Sequence, residues 1–156
     1  MQECNPNYSI RGVRVEALNS EIIKFQAYIA SKLLNINRNT RNNMGLFMES
    51  LHVHGISLDV VEDSEWYGIA DAICHNGVIL VPNELYLRIC KGEDEAIFIF
   101  LHELGHLILG HKAMLHHCDS PPTQYEDSEW QADEFSKNIM EIMKLNYTPE
   151  QLRLPF

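Results

Sequence analysis

The chain has 156 residues, of which 46% are hydrophobic and 22% charged, so it is long enough to bury a core and too apolar to be disordered. We predict a single domain over residues 1–156. The formal net charge of −10 argues against direct binding to nucleic acid, which needs clustered cations. The longest apolar run carries charged residues, which argues against a membrane span.

The cysteines predict free thiols rather than a disulfide framework, because the chain has four of them and no C-x-x-C pair. They are Cys4, Cys74, Cys90 and Cys118. Together with a start that does not resemble a signal peptide, this pattern favours the reducing cytoplasm as the compartment. Cys118 follows His116 and His117, but the spacing fits no standard metal site, so an exposed loop is the favoured interpretation.

The first third of the chain predicts helices joined by polar connections. Residues 13–16 alternate apolar and charged side chains, as in a short edge strand or an extended lead-in. Asn19 is a suitable N-cap for an amphipathic helix over residues 20–34, whose apolar side chains we expect in the core. A second short helix is predicted over residues 44–53, where Gly55 ends it.

Three apolar runs then predict a small antiparallel sheet. Residues 56–61 alternate in the manner of a strand, residues 66–73 look extended, and residues 78–81 form a compact apolar strand. The sequence His-Asn-Gly at 75–77 is typical of a tight turn. Residues 84–90 predict a short helix after the sheet.

The next predicted helix contains the sequence HELGH. Acidic residues at 93–95 suit a helix N-terminus, the apolar run 96–109 follows, and Gly110 suits the C-terminal end. Residues four apart lie on one face of a helix, so His102 and His106 can offer two imidazoles to one cation. Because the helix is apolar nearly all round, it should be buried, and a metal ion is the most economical partner for two buried histidines.

A third ligand and a general base complete a catalytic zinc site in the sequence. Glu103, next to the first histidine, can reach a water held by the same ion without binding the ion itself. Glu129 and Asp133 form the sequence E-x-x-A-D, with Glu129 lying 23 residues after His106. That separation allows a turn and a returning helix that brings Glu129 to the metal, while Asp133 accepts a hydrogen bond from a ligand histidine.

The segments HELGHLILGH at 102–111 and EWQADEF at 129–135 resemble the ImmA/IrrE family of small zinc peptidases, which belong to the gluzincins. The resemblance implies an α+β fold, a single small zincin-like domain with helices around a small antiparallel sheet. It implies Zn²⁺ as cofactor, His102, His106 and Glu129 as its ligands, and Glu103 as the catalytic acid and base. Asp133 is then expected to support a ligand from behind.

The resemblance also implies a protein substrate. Members of the family are expected to cut a helix-turn-helix repressor, often of a phage, another mobile element or a stress regulon, so any link to DNA would pass through that partner. Three residues depart from the family pattern, and none of them is an implied ligand. They are Gln131 in place of a common Glu, Ser136 in place of Ala, and Glu141 in place of a common Pro.

The residues that would stabilise the oxyanion are not determined by these motifs. Candidates from the connection between the two ligand helices are Tyr125, His116 and His111, and a structural or rim position is the favoured interpretation for His111, which lies off the ligand face. Two other functions are open: a regulatory or toxin–antitoxin-type binding protein that cuts nothing, and a zinc hydrolase acting on a non-peptide amide. Glu103 favours catalysis over the binding protein, because a purely structural zinc site needs no carboxylate between its ligands.

Overall fold

The computed structural model describes residues 8–66, 68, 70–112, 120–147 and 149. Helices surround a small three-stranded sheet in this part of the chain, which confirms the predicted α+β class. The helices are α1 (Ser20–Leu33), α2 (Met44–Ser50), α3 (Asn83–Cys90), α4 (Asp94–Ile108) and α5 (Ser128–Ile142). The strands are β1 (Ser57–Val61), β2 (Ile73–His75) and β3 (Val78–Pro82). In the described ranges no helix has the length and apolar character needed to cross a membrane.

The sheet is mixed, so the prediction of an antiparallel sheet is wrong for one of its two strand pairs. Its order is β1-β3-β2, with β1 parallel and β2 antiparallel to β3. The tight turn at Asn76 and Gly77, where both φ angles are positive, joins β2 to β3 as a hairpin. β3 is the central strand because it is the most apolar of the three, with Ile79 and Val81 completely buried.

The predicted extended run over residues 66–73 is also wrong for most of the residues that the structure describes there. Among those described residues only Ile73 lies in a strand, and a short 3₁₀ turn, Asp63–Glu65, precedes the run. The indole N–H of Trp66 donates to the carbonyl oxygen of Ala70 at 2.9 Å. This bond occupies the carbonyl oxygen of Ala70 with a side chain, so that oxygen is not paired with the sheet.

Helix α1 begins as predicted, with the side chain of Asn19 accepting a hydrogen bond from the backbone N–H of Ile22. The stripe that it buries is narrower than predicted and consists of Ile23, Ala27 and Ala30. The neighbouring apolar residues are 41% to 68% exposed, so the expectation that they lie in the core is wrong. They are Ile22, Phe25, Ile29 and Leu33.

Helices α4 and α5 pack closely against each other in the centre of the molecule. Gly105 of α4 lies against the ring of Phe135 of α5, so close that an added Cβ would stand 2.9 Å from the ring atom Cδ1. The Ser136 hydroxyl donates to the carbonyl oxygen of Phe98 at 2.9 Å, a second link between the helices. This contact brings the HELGH segment and the E-x-x-A-D segment face to face.

The segment 8–18 runs in extended form across the start of α5. The backbone N–H of Val15 donates to the Glu126 carbonyl oxygen at 2.8 Å, and an isolated antiparallel bridge joins Arg14 to Asp127. The predicted edge strand is therefore a single bridge. Gly12 is required here, because a Cβ at this position would stand 2.3 Å from the Ser128 hydroxyl oxygen.

Candidate metal centre

Three side chains from the two packed helices converge on one point. The Nε2 atoms of His102 and His106 lie 3.1 Å apart, and the carboxylate of Glu129 lies 2.8 Å from the first and 3.3 Å from the second. One donor atom from each residue lies within 4.8 Å of the others. The structure therefore brings together the three residues that the sequence nominated as ligands.

Local structure explains why these side chains meet. His102 and His106 are one turn apart on α4, so their rings lie on one face of the helix and meet edge to face. Glu129 is in the first turn of α5, where Asp127 is the N-cap and accepts a hydrogen bond from the Glu129 backbone N–H at 3.0 Å. The Gly105 contact with Phe135 then sets the distance between the two helices.

His102 is held from behind by a buried carboxylate. Its Nδ1 lies 2.7 Å from Oδ1 of Asp133, and the guanidinium of Arg11 donates to Oδ2 of the same carboxylate at 3.0 Å. Burial alone would lower the pKa of His102, but the hydrogen bonds to Asp133 and Glu129 outweigh it and raise the pKa to about 9. Asp133 therefore contacts the ring of His102, as the sequence predicted for a residue that supports a ligand histidine.

His106 is held from behind by a neutral chain of groups. Its Nδ1 lies 2.7 Å from Nδ1 of His111, whose Nε2 lies 2.7 Å from Oε1 of Gln131. The Gln131 amide nitrogen in turn donates to the carbonyl oxygens of Glu16 and Tyr125, at 2.8 and 2.6 Å. Burial lowers the pKa of His111 to about 4, so its ring is neutral at pH 7.

The donor set fits a zinc ion. Both histidines use Nδ1 for supporting contacts and turn Nε2 toward the shared point, which is how a ligand imidazole is normally oriented. The pKa of Glu129 is held well below its usual range by hydrogen bonds to His102 and His106, so its carboxylate is ionised. Two imidazole nitrogens and one carboxylate oxygen are a donor set found in catalytic zinc sites, where a fourth position remains open.

A cleft of about 620 Å³ opens beside these ligands. Its charged lining in the described part of the chain consists mainly of carboxylates, together with one guanidinium. The charged or ligand side chains are Arg11, Asp71, Glu95, His102, Glu103, Glu129 and Asp133. The surface next to the ligands is therefore predominantly negative.

Glu103 lies on the cleft, next in sequence to His102 but outside the ligand cluster. Burial raises its pKa, while the two histidines and the Cys74 thiol act in the opposite direction. Burial together with the nearby Glu103 raises the pKa of Cys74 to about 12, so this thiol stays protonated. A carboxyl group with a raised pKa at the edge of a cleft holds a proton more readily than an exposed one, which suits a group that accepts and returns a proton.

Two of the three oxyanion candidates do not lie on the described lining of the cleft. The ring of Tyr125 packs edge-on against Trp130, and its carbonyl oxygen accepts from Gln131. His111 lies behind His106, on the side away from the cleft. The third candidate, His116, lies outside the described residues.

Several residues of the centre were not found from the sequence. Arg11 and Cys74 come from the N-terminal segment and from β2, far from the motifs in sequence, and no local pattern marks them. Gln131 was noted only as a departure from the family pattern. Asp127 carries a usable signal, because an Asp directly before a predicted helix is a typical N-cap.

Comparison with known proteins agrees with this geometry. The family model described as IrrE N-terminal-like domain, a peptidase family, matches residues 59–148. Searches of curated proteins and of solved structures give no significant match. The matched region covers more than half of the chain. It includes both ligand helices and all of the sheet except the first two residues of β1. The chain therefore belongs to the peptidase family of the IrrE N-terminal-like domain, as its resemblance to ImmA/IrrE proteins predicted.

Proposed function

We propose that this protein is a zinc-dependent endopeptidase that uses His102, His106 and Glu129 as metal ligands and Glu103 as its acid and base. The observation that carries the proposal is the convergence of three donor atoms within 4.8 Å beside a cleft on which Glu103 lies. A binding protein with a structural zinc site would not need a buried carboxylate at that place. The family membership supports peptide hydrolysis over attack on another amide.

The proposed chemistry divides between the ion and the chain. Zinc, when bound, would lower the pKa of a water molecule and polarise the peptide carbonyl. Glu103 takes the proton from the attacking water and then passes it to the amine of the departing peptide. Asp133 holds the ring of His102 in place through both steps, because its carboxylate is itself anchored by Arg11.

The proposed substrate is a specific protein partner, a DNA-binding repressor of a phage, another mobile element or a stress regulon. The predominantly acidic cleft and the net charge of −10 support a basic partner, because opposite potentials steer two proteins together. No direct binding of nucleic acid by this chain is needed. The partner would meet the enzyme in the cytoplasm.

Co-expression tests the proposal. The wild type and the Glu103→Gln variant are produced with candidate repressors, fragments are identified by mass spectrometry, and zinc is measured by elemental analysis. We expect about one zinc per chain in both proteins and a single cut in the repressor with the wild type alone. Cleavage of casein-like proteins at many sites would contradict the dedicated partner, and zinc binding without any cleavage would contradict the peptidase.

A further inference from the structure

We infer that His111 and Gln131 are positioning residues that decide which ring nitrogen of His106 carries the proton. The inference rests on the proposed function, since it takes Nε2 of His106 as a zinc ligand. Four hydrogen bonds of 2.6 to 2.8 Å form an unbroken chain from the backbone carbonyls of Glu16 and Tyr125 through Gln131 and His111 to His106. We call this chain of groups the relay.

The direction of the relay is set at its outer end. The Gln131 side chain has one atom near two backbone carbonyl oxygens, at 2.8 and 2.6 Å. Carbonyl oxygens only accept hydrogen bonds, so the atom facing Glu16 and Tyr125 must be the amide NH₂. The amide oxygen of Gln131 is therefore the atom that faces His111.

Each further step has a single solution. The amide oxygen of Gln131 only accepts, so Nε2 of His111 must carry a proton and donate to it over 2.7 Å. Because the proposed function takes Nε2 of His106 as a zinc ligand, the ring proton of His106 lies on Nδ1, and over 2.7 Å it can only donate to a lone pair on Nδ1 of His111. Nε2 of His106 then keeps its lone pair for the proposed metal, which would replace the hydrogen bond that this atom makes to Glu129 in the metal-free protein.

The amide at position 131 is the chemically matched group for this task. A carboxylate there would place negative charge 2.6 and 2.8 Å from two carbonyl oxygens that offer it no proton. An apolar side chain of similar length would leave His111 and both carbonyls without that partner. Only a group that donates twice on one side and accepts on the other satisfies all three neighbours, and Gln131 is completely buried among them.

Glu16 and the rest of the N-terminal segment lie outside the region matched by the family model, residues 59–148. The relay ends on that segment at Glu16, and the support of His102 ends there as well, at Arg11. Both ligand histidines are thus oriented from a part of the chain that the HELGH and E-x-x-A-D motifs do not contain. The segment 8–18 is, on this inference, part of the metal centre.

Zinc affinity, measured by competition with a chromophoric chelator, tests the relay in the full chain. Loss of a hydrogen bond behind a ligand histidine typically weakens metal binding by about 10- to 100-fold. We expect losses in this range for His111→Leu, Gln131→Met and Gln131→Glu. His111→Gln should bind zinc at least about tenfold more tightly than His111→Leu, because its amide can accept from His106 and donate to Gln131.

The matched control is His52→Leu, since His52 is an exposed histidine whose ring nitrogen contacts the carbonyl oxygen of Glu49, outside the relay. Its zinc affinity should equal that of the wild type. Circular dichroism with chelator present checks that every variant is folded before its affinity is compared. The visible absorption of the Co²⁺-loaded proteins reports whether the coordination itself has changed.

Nitrogen-15 NMR of the zinc-loaded wild type gives a readout that a merely structural role would not move. We expect the proton of His111 on Nε2 and that of His106 on Nδ1. A proton on Nδ1 of His111, or equal zinc affinities of His111→Leu, Gln131→Glu and wild type, would overturn the relay and leave the proposed peptidase intact. Failure of the wild type to bind zinc would overturn both.

Discussion

Glu103 and Glu129 are two carboxylates that line the same cleft, yet their surroundings shift their pKa values in opposite directions. Glu129 lies between two imidazoles, whose hydrogen bonds lower its pKa. Glu103 is half-buried, and burial raises its pKa by more than the two histidines and the Cys74 thiol lower it. The first group is therefore suited to hold a cation and the second to carry a proton.

Replacing Glu103 by Gln should remove hydrolysis and leave the metal in place. The amide has nearly the same shape but cannot accept a proton from water, and general acid–base catalysis contributes about 10²- to 10⁴-fold to the rate. Turnover of the identified substrate and the zinc content of the same preparation are the two measurements. Glu21→Gln, which alters an exposed carboxylate of α1 outside the cleft lining, is the control and should keep full activity. Undiminished turnover in Glu103→Gln would remove this residue from the mechanism.

Among the secondary structure elements, the contact between α4 and α5 determines whether the ligands converge. A methyl group at position 105 would stand 2.9 to 3.2 Å from three atoms of Phe135, a side chain that is completely buried and has no room to move. Overpacking of this kind typically costs about 1 to 3 kcal/mol. It would also separate the helices that carry the histidines and Glu129.

We therefore expect Gly105→Ala to lower the free energy of unfolding by about 1 to 2 kcal/mol and to weaken zinc binding, although alanine is the better helix former. The control is Gly45→Ala in α2, where the nearest atom to the added Cβ is the Cys90 sulfur at 3.8 Å. That variant should be as stable as the wild type or slightly more stable. Urea unfolding of both proteins measures the difference in their free energies of unfolding. A Gly105→Ala variant as stable as Gly45→Ala would contradict the prediction, because it would show that α4 and α5 can move apart without loss of stability.

The start of α5 is organised by Asp127, a completely buried residue. Its carboxylate accepts from the backbone N–H groups of Arg11, Gly12 and Glu129 at 3.0 to 3.1 Å, and from the Tyr8 hydroxyl. Burial raises the pKa of Asp127, but these hydrogen bonds outweigh it, so the pKa lies below its usual value. One side chain thus ties the N-terminal segment to the helix that presents Glu129.

Asp127→Ala should lower the free energy of unfolding by about 2 kcal/mol or more, since it removes a helix cap and leaves buried N–H groups without an acceptor. It should also weaken zinc binding, because Glu129 loses the bond that orients its turn. Asn19→Ala is the matched control, an N-cap on α1 with no contact to the centre, and should cost about 1 kcal/mol with no change in zinc affinity. Equal zinc affinity in the two variants would contradict the role of Asp127 in the metal centre.

At the scale of the whole molecule, the stability of the metal-free protein should depend on pH through His102. The pKa of His102 rises from 6.5 to about 9 on folding. Its protonated ring therefore stabilises the folded state fully below pH 6.5, and this stabilisation is lost as the pH rises through 9. The contribution is at most about 3 kcal/mol.

The comparison of wild type and His102→Gln, both in chelator, isolates this effect. We expect the difference in unfolding free energy between them to shrink between pH 6.5 and 9, as followed by urea unfolding at several pH values. Zinc affinity should rise over the same range, because the ion and the proton compete for His102. A difference that stays constant across the range would contradict the raised pKa.

Much of the molecule is determined by local sequence alone. The helix caps, the turn at Asn76 and Gly77, and the spacing of His102 and His106 depend only on neighbouring residues, so they could be predicted. Glu129 could be predicted because a buried metal site needs a third donor and the E-x-x-A-D segment is well placed to supply it. The family resemblance came from the same two segments and is confirmed by the family match.

Other features depend on which surfaces meet, and only the tertiary structure decided them. The strand order β1-β3-β2 follows from burial of the most apolar strand in the middle, and the exposed side of α1 follows from the narrow stripe that α5 covers. Arg11 and Gln131 reach the histidines through hydrogen bonds that span 20 to 122 residues of sequence. Such bonds form only because helix packing first fixes the distances between distant parts of the chain, and no local pattern carries that information.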